Sequence, residues 1–164
     1  MPTTEVALLL EMIDQAFDHR SWHGTNLKGS IKGVTAREAM WRPGKDRHNV
    51  WEYVVHAAYW KYIVRRRILN EKRGSFPLKG SNFFPRPERG ERSDGAWKQD
   101  VKLLIDTHKT LREAVTGLSH KDLEARPRGS KFTTRALVVG IAAHDYYHTG
   151  QIQLIKRLYS LSGV

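Results

Sequence analysis

Two histidines four residues apart, His144 and His148, carry the clearest chemical signal in the chain. Side chains at i and i+4 lie one turn apart on the same face of a helix, so two imidazoles placed this way can converge on one ion. The pair belongs to a longer pattern. Leu137, Ile141, His144, His148, Gln151, Ile155 and Leu158 recur at alternating steps of four and three, which is the seam of a packed helix. The ends of that seam are aliphatic and its middle is polar. Burying three polar groups in succession is costly unless each finds a partner. A divalent metal would satisfy both imidazoles at once, whereas hydrogen bonds to carboxylates or carbonyls would satisfy them singly. The position in the seam favours the metal, because imidazole binds transition metals readily.

His56 is the candidate third ligand. From Val50 to Val64 only Glu52, His56 and Lys61 interrupt an apolar run. An isolated histidine in such a helix is more often a hydrogen-bonded core residue than a ligand. Beside the His144/His148 pair it completes a three-imidazole set with one position open, the form that metal-assisted chemistry uses. Glu52, one turn earlier, could orient His56, bind the metal or act as a base. Asp145 is a second possible orienter, although its place in the sequence points it elsewhere on the helix, where surface pairs are the simpler expectation. His19 and His23 form a rival i, i+4 pair near the end of the first helix. His19 is expected to be exposed, and His23 could look into the cavity. His108 is expected in the core of the third helix. No glycine-rich phosphate loop, serine elbow or catalytic carboxylate pair is present, and the absence of cysteine excludes disulfides and thiolate chemistry.

Four long helical patterns would position these residues. They run from about Thr4 to Trp22, Asn49 to Asn70, Ser93 to Thr116, and Thr133 or Thr134 to Ser160. A short helix is expected at Ala36 to Met40, where Thr35 and Glu38 read as a capping box, and a further turn between Leu118 and Arg126. Lys72 to Arg92, rich in proline, glycine and charge, reads as a long surface loop. The 164 residues suit one domain (1–164), an all-α four-helix bundle with that long loop between its second and third long helices.

Charge is uneven. The chain carries 28 Lys and Arg against 17 Asp and Glu, a net +11, and residues 61–92 hold ten of the former and three Glu, a net +7. Such a segment can attract nucleic acid or anionic metabolites, or be merely a solvated basic loop. The aromatic residues of the second helix fall on all its sides, which fits packing better than a base-stacking platform. No segment has the length and apolarity of a membrane span, and the first ten residues read as the start of a helix and not as a signal peptide. Both point to the cytoplasm.

These residues together resemble the DinB-like (DinB/YfiT) superfamily over nearly the whole chain. The likeness is carried by Trp22-His23-Gly24, by Ala39-Met40-Trp41-Arg42-Pro43, and by Asn49 to His56. Most specific is His144-Asp145-Tyr146-Tyr147-His148-Thr149-Gly150-Gln151-Ile152, which is similar to the family's H-x-x-x-H-x-G-Q-I ending. Asp145 stands where relatives have Glu. The resemblance implies a bundle of up-down-down-up connectivity, a metal held by His56, His144 and His148 with nickel or zinc the usual ions, and homodimers. It further implies a small-molecule substrate, since characterised relatives include transferases and isomerases that use low-molecular-weight thiols. The expected activity is therefore that of a metal-dependent thiol transferase or a hydrolase, with Gln151 and Glu52 as catalytic candidates and His23 and Tyr147 as substrate contacts. The rival expectation is a non-catalytic, stress-related binding module whose basic surface engages nucleic acid or an acidic partner.

Overall fold

The computed structural model describes residues 4–88 and 90–163. Among them are seven helices and no strand: α1 (Thr4–Phe17), α2 (Leu27–Ser30), α3 (Ala36–Met40), α4 (Val50–Ile68), α5 (Asp94–Thr116), α6 (His120–Glu124) and α7 (Thr134–Leu161). The four long ones, α1, α4, α5 and α7, form an all-α bundle in which α4 packs on α5 and α7, and α1 packs on the same two.

Side chains at the helix starts set their beginnings. Asn49 accepts from the Glu52 amide while Glu52 returns a bond to the Asn49 amide, a reciprocal cap on α4. Ser93 and Thr133 cap α5 and α7 in the same sense. The first helix is shorter than its periodicity predicts. It stops at Phe17, where the amides of both Asp18 and His19 fall back on the Asp14 carbonyl at 2.9 Å. Residues 21–24 then turn, with Gly24 at a φ of +104° that glycine adopts without strain. His19 and His23 therefore lie beyond the helix, and the rival pair never shares a helix face. The four-residue α2, not expected from the sequence, follows the cap of Asn26 on the Gly29 amide.

Two hydrophobic clusters lie along the bundle. One gathers Phe17, α3, the first half of α4 to Ala58, Trp97 and Leu104 of α5, and Ile152 and Ile155 of α7. The other gathers α1 from Val6 to Ala16, Val64 of α4, Leu111 and Val115 of α5, and Leu137 to Ala142 of α7. On α4, α5 and α7 the stretches between the two clusters carry buried polar residues, Lys61, His108, Asp145, His148 and Thr149, and Asp14 of α1 joins them; Glu52, His56, Asp100 and Thr134 are further buried polar residues of the long helices. The bundle is thus two apolar cores with a polar layer between, and the layer holds the histidines.

The expected surface loop between α4 and α5 is only partly on the surface. It carries Phe84 and Arg86 inward, both almost completely buried. Arg86 Nε donates to Asp100 Oδ2 at 2.7 Å, and the Arg86 carbonyl accepts from Asn49 Nδ2 at 2.8 Å. The reason is apolar: Phe76, Phe83 and Phe84 supply rings that the uncovered face of α4 can bury.

Candidate metal centre

His144 and His148 project from α7 at the level where its aliphatic seam gives way to polar residues, and His56 projects from the facing turn of α4. Their ring nitrogens meet. His56 Nε2 lies 3.0 Å from His144 Nε2, and His148 Nε2 lies 3.1 Å from the same atom. His56 and His148 are 4 and 5% exposed, and His144 is half-buried. These three are the set of His, Asp and Glu side chains, among the described residues, whose ligand atoms cluster closely enough for one ion.

The outward nitrogens of two of the rings fix which atoms face the centre. His56 Nδ1 donates to the Asn82 carbonyl at 2.8 Å, and His148 Nδ1 donates to Gln151 Oε1 at 2.6 Å. With both protons held on Nδ1, both Nε2 atoms present lone pairs to His144. A proton on His144 Nε2 can satisfy only one of those lone pairs. A divalent cation accepts all three, and two nitrogens bound tetrahedrally to a zinc-sized ion stand roughly 3.3 Å apart. Donor type, tautomer and spacing all fit a metal ion.

Electrostatics agree. Burial drives the His56 imidazole down to about 4, helped by the nearby His148. Burial again, with His148, His56 and Lys61 adding, drives His144 down to about 3. His148 is lowered too, chiefly by burial. All three are neutral at physiological pH, so none has to lose a proton before it can bind a metal.

The orienting groups differ from those expected. Glu52 is not beside the three nitrogens. Its carboxylate accepts from Arg42 Nη1 at 2.9 Å and Nη2 at 2.5 Å, from His48 Nδ1 at 2.9 Å, and from the amides of Asn49 and Arg86, both at 3.4 Å. Arg42 and His48 outweigh the effect of burial and hold it ionised. It clamps α4 to the loops around it, and the orienting of His56 falls to Asn82. Asn82 lies at φ +65°, a conformation asparagine tolerates better than most residues. Its side-chain oxygen also accepts from Trp60 Nε1 at 3.0 Å. No spacing rule links residues 56 and 82, so the sequence offered no signal for this contact.

Asp145 overturns the expectation of surface pairing. It is fully buried and ion-paired with Lys61, itself 1% exposed. That pair ties α7 to α4 one residue from His144. Gln151 is used as an acceptor by His148 and so positions a ring. Tyr147 is exposed, its ring 5.1 Å from that of His148, at the edge of the centre. His23 is not at the cluster; it stands edge-on to Tyr146 at 4.4 Å beside Thr149 and Gly150. His19 is exposed, as expected, and His108 is buried against Phe17 with its ring stacked at 3.7 Å.

Aromatic rings close the centre. Phe83 is sandwiched between His56 at 3.9 Å and His48 at 3.7 Å, both nearly parallel, and Tyr53 lies 5.1 Å from His148. Phe83 and Tyr53 limit the approach of water on the α4 side and keep the surroundings of low polarity, which strengthens any charge interaction inside.

A comparison with curated proteins found no significant match, and neither did one with solved structures. A family model described as the DinB superfamily matches residues 20–152, a span that takes in α4, α5, the loop between them and all three clustered histidines. The chain belongs to the DinB superfamily.

Proposed function

We propose that the protein is a metal-dependent enzyme acting on a small molecule, either transferring a low-molecular-weight thiol or hydrolysing its substrate. The observation that carries this reading is the convergence of three neutral imidazole nitrogens, two of them on rings whose second nitrogen is already committed. His56, His144 and His148 would hold the ion, with nickel or zinc the candidates that three nitrogen donors suit. A divalent ion there would supply a Lewis acid that eases removal of a proton from a thiol or water. The chain's own contribution is positional. Asn82 and Gln151 aim His56 and His148, the Lys61–Asp145 pair fixes α7 against α4, and Tyr53 and Phe83 screen the centre. Tyr147, exposed beside His148, is the side chain best placed to meet an arriving substrate.

Elemental analysis of protein purified without chelator tests the reading. About one nickel or zinc ion per chain is expected, and none in a His148→Ala variant that still folds. Protein with no bound divalent ion, and no uptake on adding nickel or zinc, would sink it. A screen of thiol-dependent transfer and of hydrolysis then separates the two activities. Among the described residues no helix is long and apolar enough to cross a membrane. We propose the cytoplasm as the setting, in keeping with the absence of cysteine. We also propose a homodimer, supported by Leu154, Leu158 and Leu161, which leave an exposed apolar edge along the end of α7.

A further inference from the structure

A second site lies on the far side of Trp60 from the histidines. The C-terminal half of α4 and the loop of residues 73–81 enclose a cleft of about 490 Å³, within the size range of small-molecule pockets. Gly74 at φ +112° and Gly80 at φ +125° bend the loop, and the Gly74 amide donates to Tyr62 Oη at 3.3 Å, which ties the loop back to α4 at the rim of the cleft. One wall is aromatic. Tyr59, Trp60 and Tyr62 come from α4, and Phe76 comes from the loop, packed 5.3 Å from Tyr59 and 5.4 Å from both Tyr62 and Phe84.

The charged residues of the lining are all cationic, Arg66, Arg67, Arg73 and Lys79, with no carboxylate beside them; Ile63, Leu78, Ser81 and the two glycines complete it. Elsewhere the buried Arg86 pairs with Asp100, the half-buried Arg65 with Glu71 and the exposed Arg112 with Asp14. None of the four in the cleft has an ion pair among the described residues. Arg66 is the most telling. Its Nη1 donates to the Glu71 carbonyl at 3.1 Å, but its Nε is buried with no hydrogen-bond partner. An unsatisfied buried donor is costly and calls for a partner such as a water or an ion; Arg65 Nε, outside the cleft, is unpartnered too. Four uncompensated positive charges on one rim focus potential outward and favour an anion, and arginine forks match a phosphate's oxygens in pairs.

We propose that this cleft binds a small molecule carrying both an aromatic ring and a phosphate, the chemistry of a nucleoside monophosphate, with the ring against Tyr59, Trp60 and Phe76 and the phosphate among Arg66, Arg67 and Arg73. This goes beyond the metal reading and does not depend on it. Base-plus-phosphate chemistry also occurs in a nucleic-acid strand. The size of the cleft favours the free molecule, although the rim runs on past Glu71 and Lys72 to Arg128.

The test is a titration of the full chain with AMP, followed by calorimetry and by tryptophan fluorescence, since Trp60 lines the cleft. Saturable binding at one site is expected. Adenosine and inorganic phosphate should each bind at least tenfold more weakly than AMP. The double variant Arg67→Glu/Arg73→Glu should weaken AMP binding at least tenfold with its melting temperature unchanged, because neither side chain has an ion pair among the described residues. His148→Ala should bind AMP as the parent does, which separates this site from the histidine centre and leaves the result readable even if no metal is ever found. The proposal is overturned by absence of saturable AMP binding, by an unaffected double variant, by loss of binding in His148→Ala, or by phosphate alone matching AMP. A single-stranded 12-mer of thymidine binding over a hundredfold more tightly than AMP, with steep loss in salt, would assign the cleft to a nucleic-acid strand instead. An oligonucleotide no tighter than AMP supports the free ligand.

Discussion

At the residue scale, the state of the three imidazoles is set by partners outside the cluster. Gln151 and the Asn82 carbonyl decide which nitrogen of His148 and His56 keeps its proton. Loss of such an orienting partner typically weakens metal binding 10- to 100-fold. Gln151→Leu should therefore lose affinity for zinc by roughly that factor, measured by competition with a chromophoric chelator. Asn82 discriminates backbone from side chain. Asn82→Gly keeps φ +65° accessible and the carbonyl in place, losing only the bond from Trp60, so its affinity should stay near that of the parent. Asn82→Val makes that φ unfavourable and should behave like Gln151→Leu. The pH dependence follows from the same burial. Proton and metal compete for each Nε2, and a proton binds His56 and His144 only near pH 4 and 3. Free imidazoles would begin to lose metal below about pH 6.5. His148 is lowered as well, so zinc affinity measured from pH 8 downward should begin to fall at a lower pH than it would for free imidazoles. A decline that starts at pH 6.5 would show that the rings are not held neutral.

At the scale of elements, α4 and α7 are registered by one buried ion pair. Lys61 and Asp145 are each 1% exposed at the side chain or less, and Asp145 Oδ1 has no partner among the described residues. Breaking such a pair leaves a buried charge and costs about 3–5 kcal/mol, whereas replacing both members by apolar groups can be neutral. Lys61→Met alone should lower stability by about that amount in urea unfolding, and Lys61→Met/Asp145→Leu should recover most of it. The double variant should still bind metal less well than the parent, because the pair also sets where His144 stands. The long helices were legible in the sequence because their apolar periods are long and their caps are strong: Asn49 with Glu52, Ser93 and Thr133. The helix seam likewise pointed to His144, His148 and Gln151. What the sequence did not disclose came from contacts with no local pattern. Nothing in Asp18-His19-Arg20 announces the end of α1, and a helical period alone does not say that Asp145 faces a lysine 84 residues away. Asn82, Phe83 and Phe84 were hidden inside a stretch whose prolines, glycines and charges resemble those of a solvent-exposed loop.

For the whole molecule, the placement of the centre between two hydrophobic clusters determines what metal can do for the fold. Each cluster draws on all of the long helices, α1 through Phe17 alone in the first, so the bundle has cores above and below the polar layer. The fold should therefore form without metal. The centre nonetheless joins α4 to α7, and through Asn82 it is braced by the loop, so an ion bound there favours the native state over the unfolded chain. At a free metal concentration a hundred times its dissociation constant, that linkage is worth about 2.7 kcal/mol. For a chain of this length it corresponds to a rise of roughly 5–11 °C in melting temperature. Zinc or nickel added to metal-stripped protein should produce that rise, EDTA should reverse it, and His148→Ala should melt near the stripped parent and not respond to metal. Stripped protein that fails to fold at all would mean that the polar layer cannot be tolerated without an ion, and that the two cores are less independent than their composition indicates. A folded protein whose melting temperature does not respond to either metal would remove the centre from the list of metal sites.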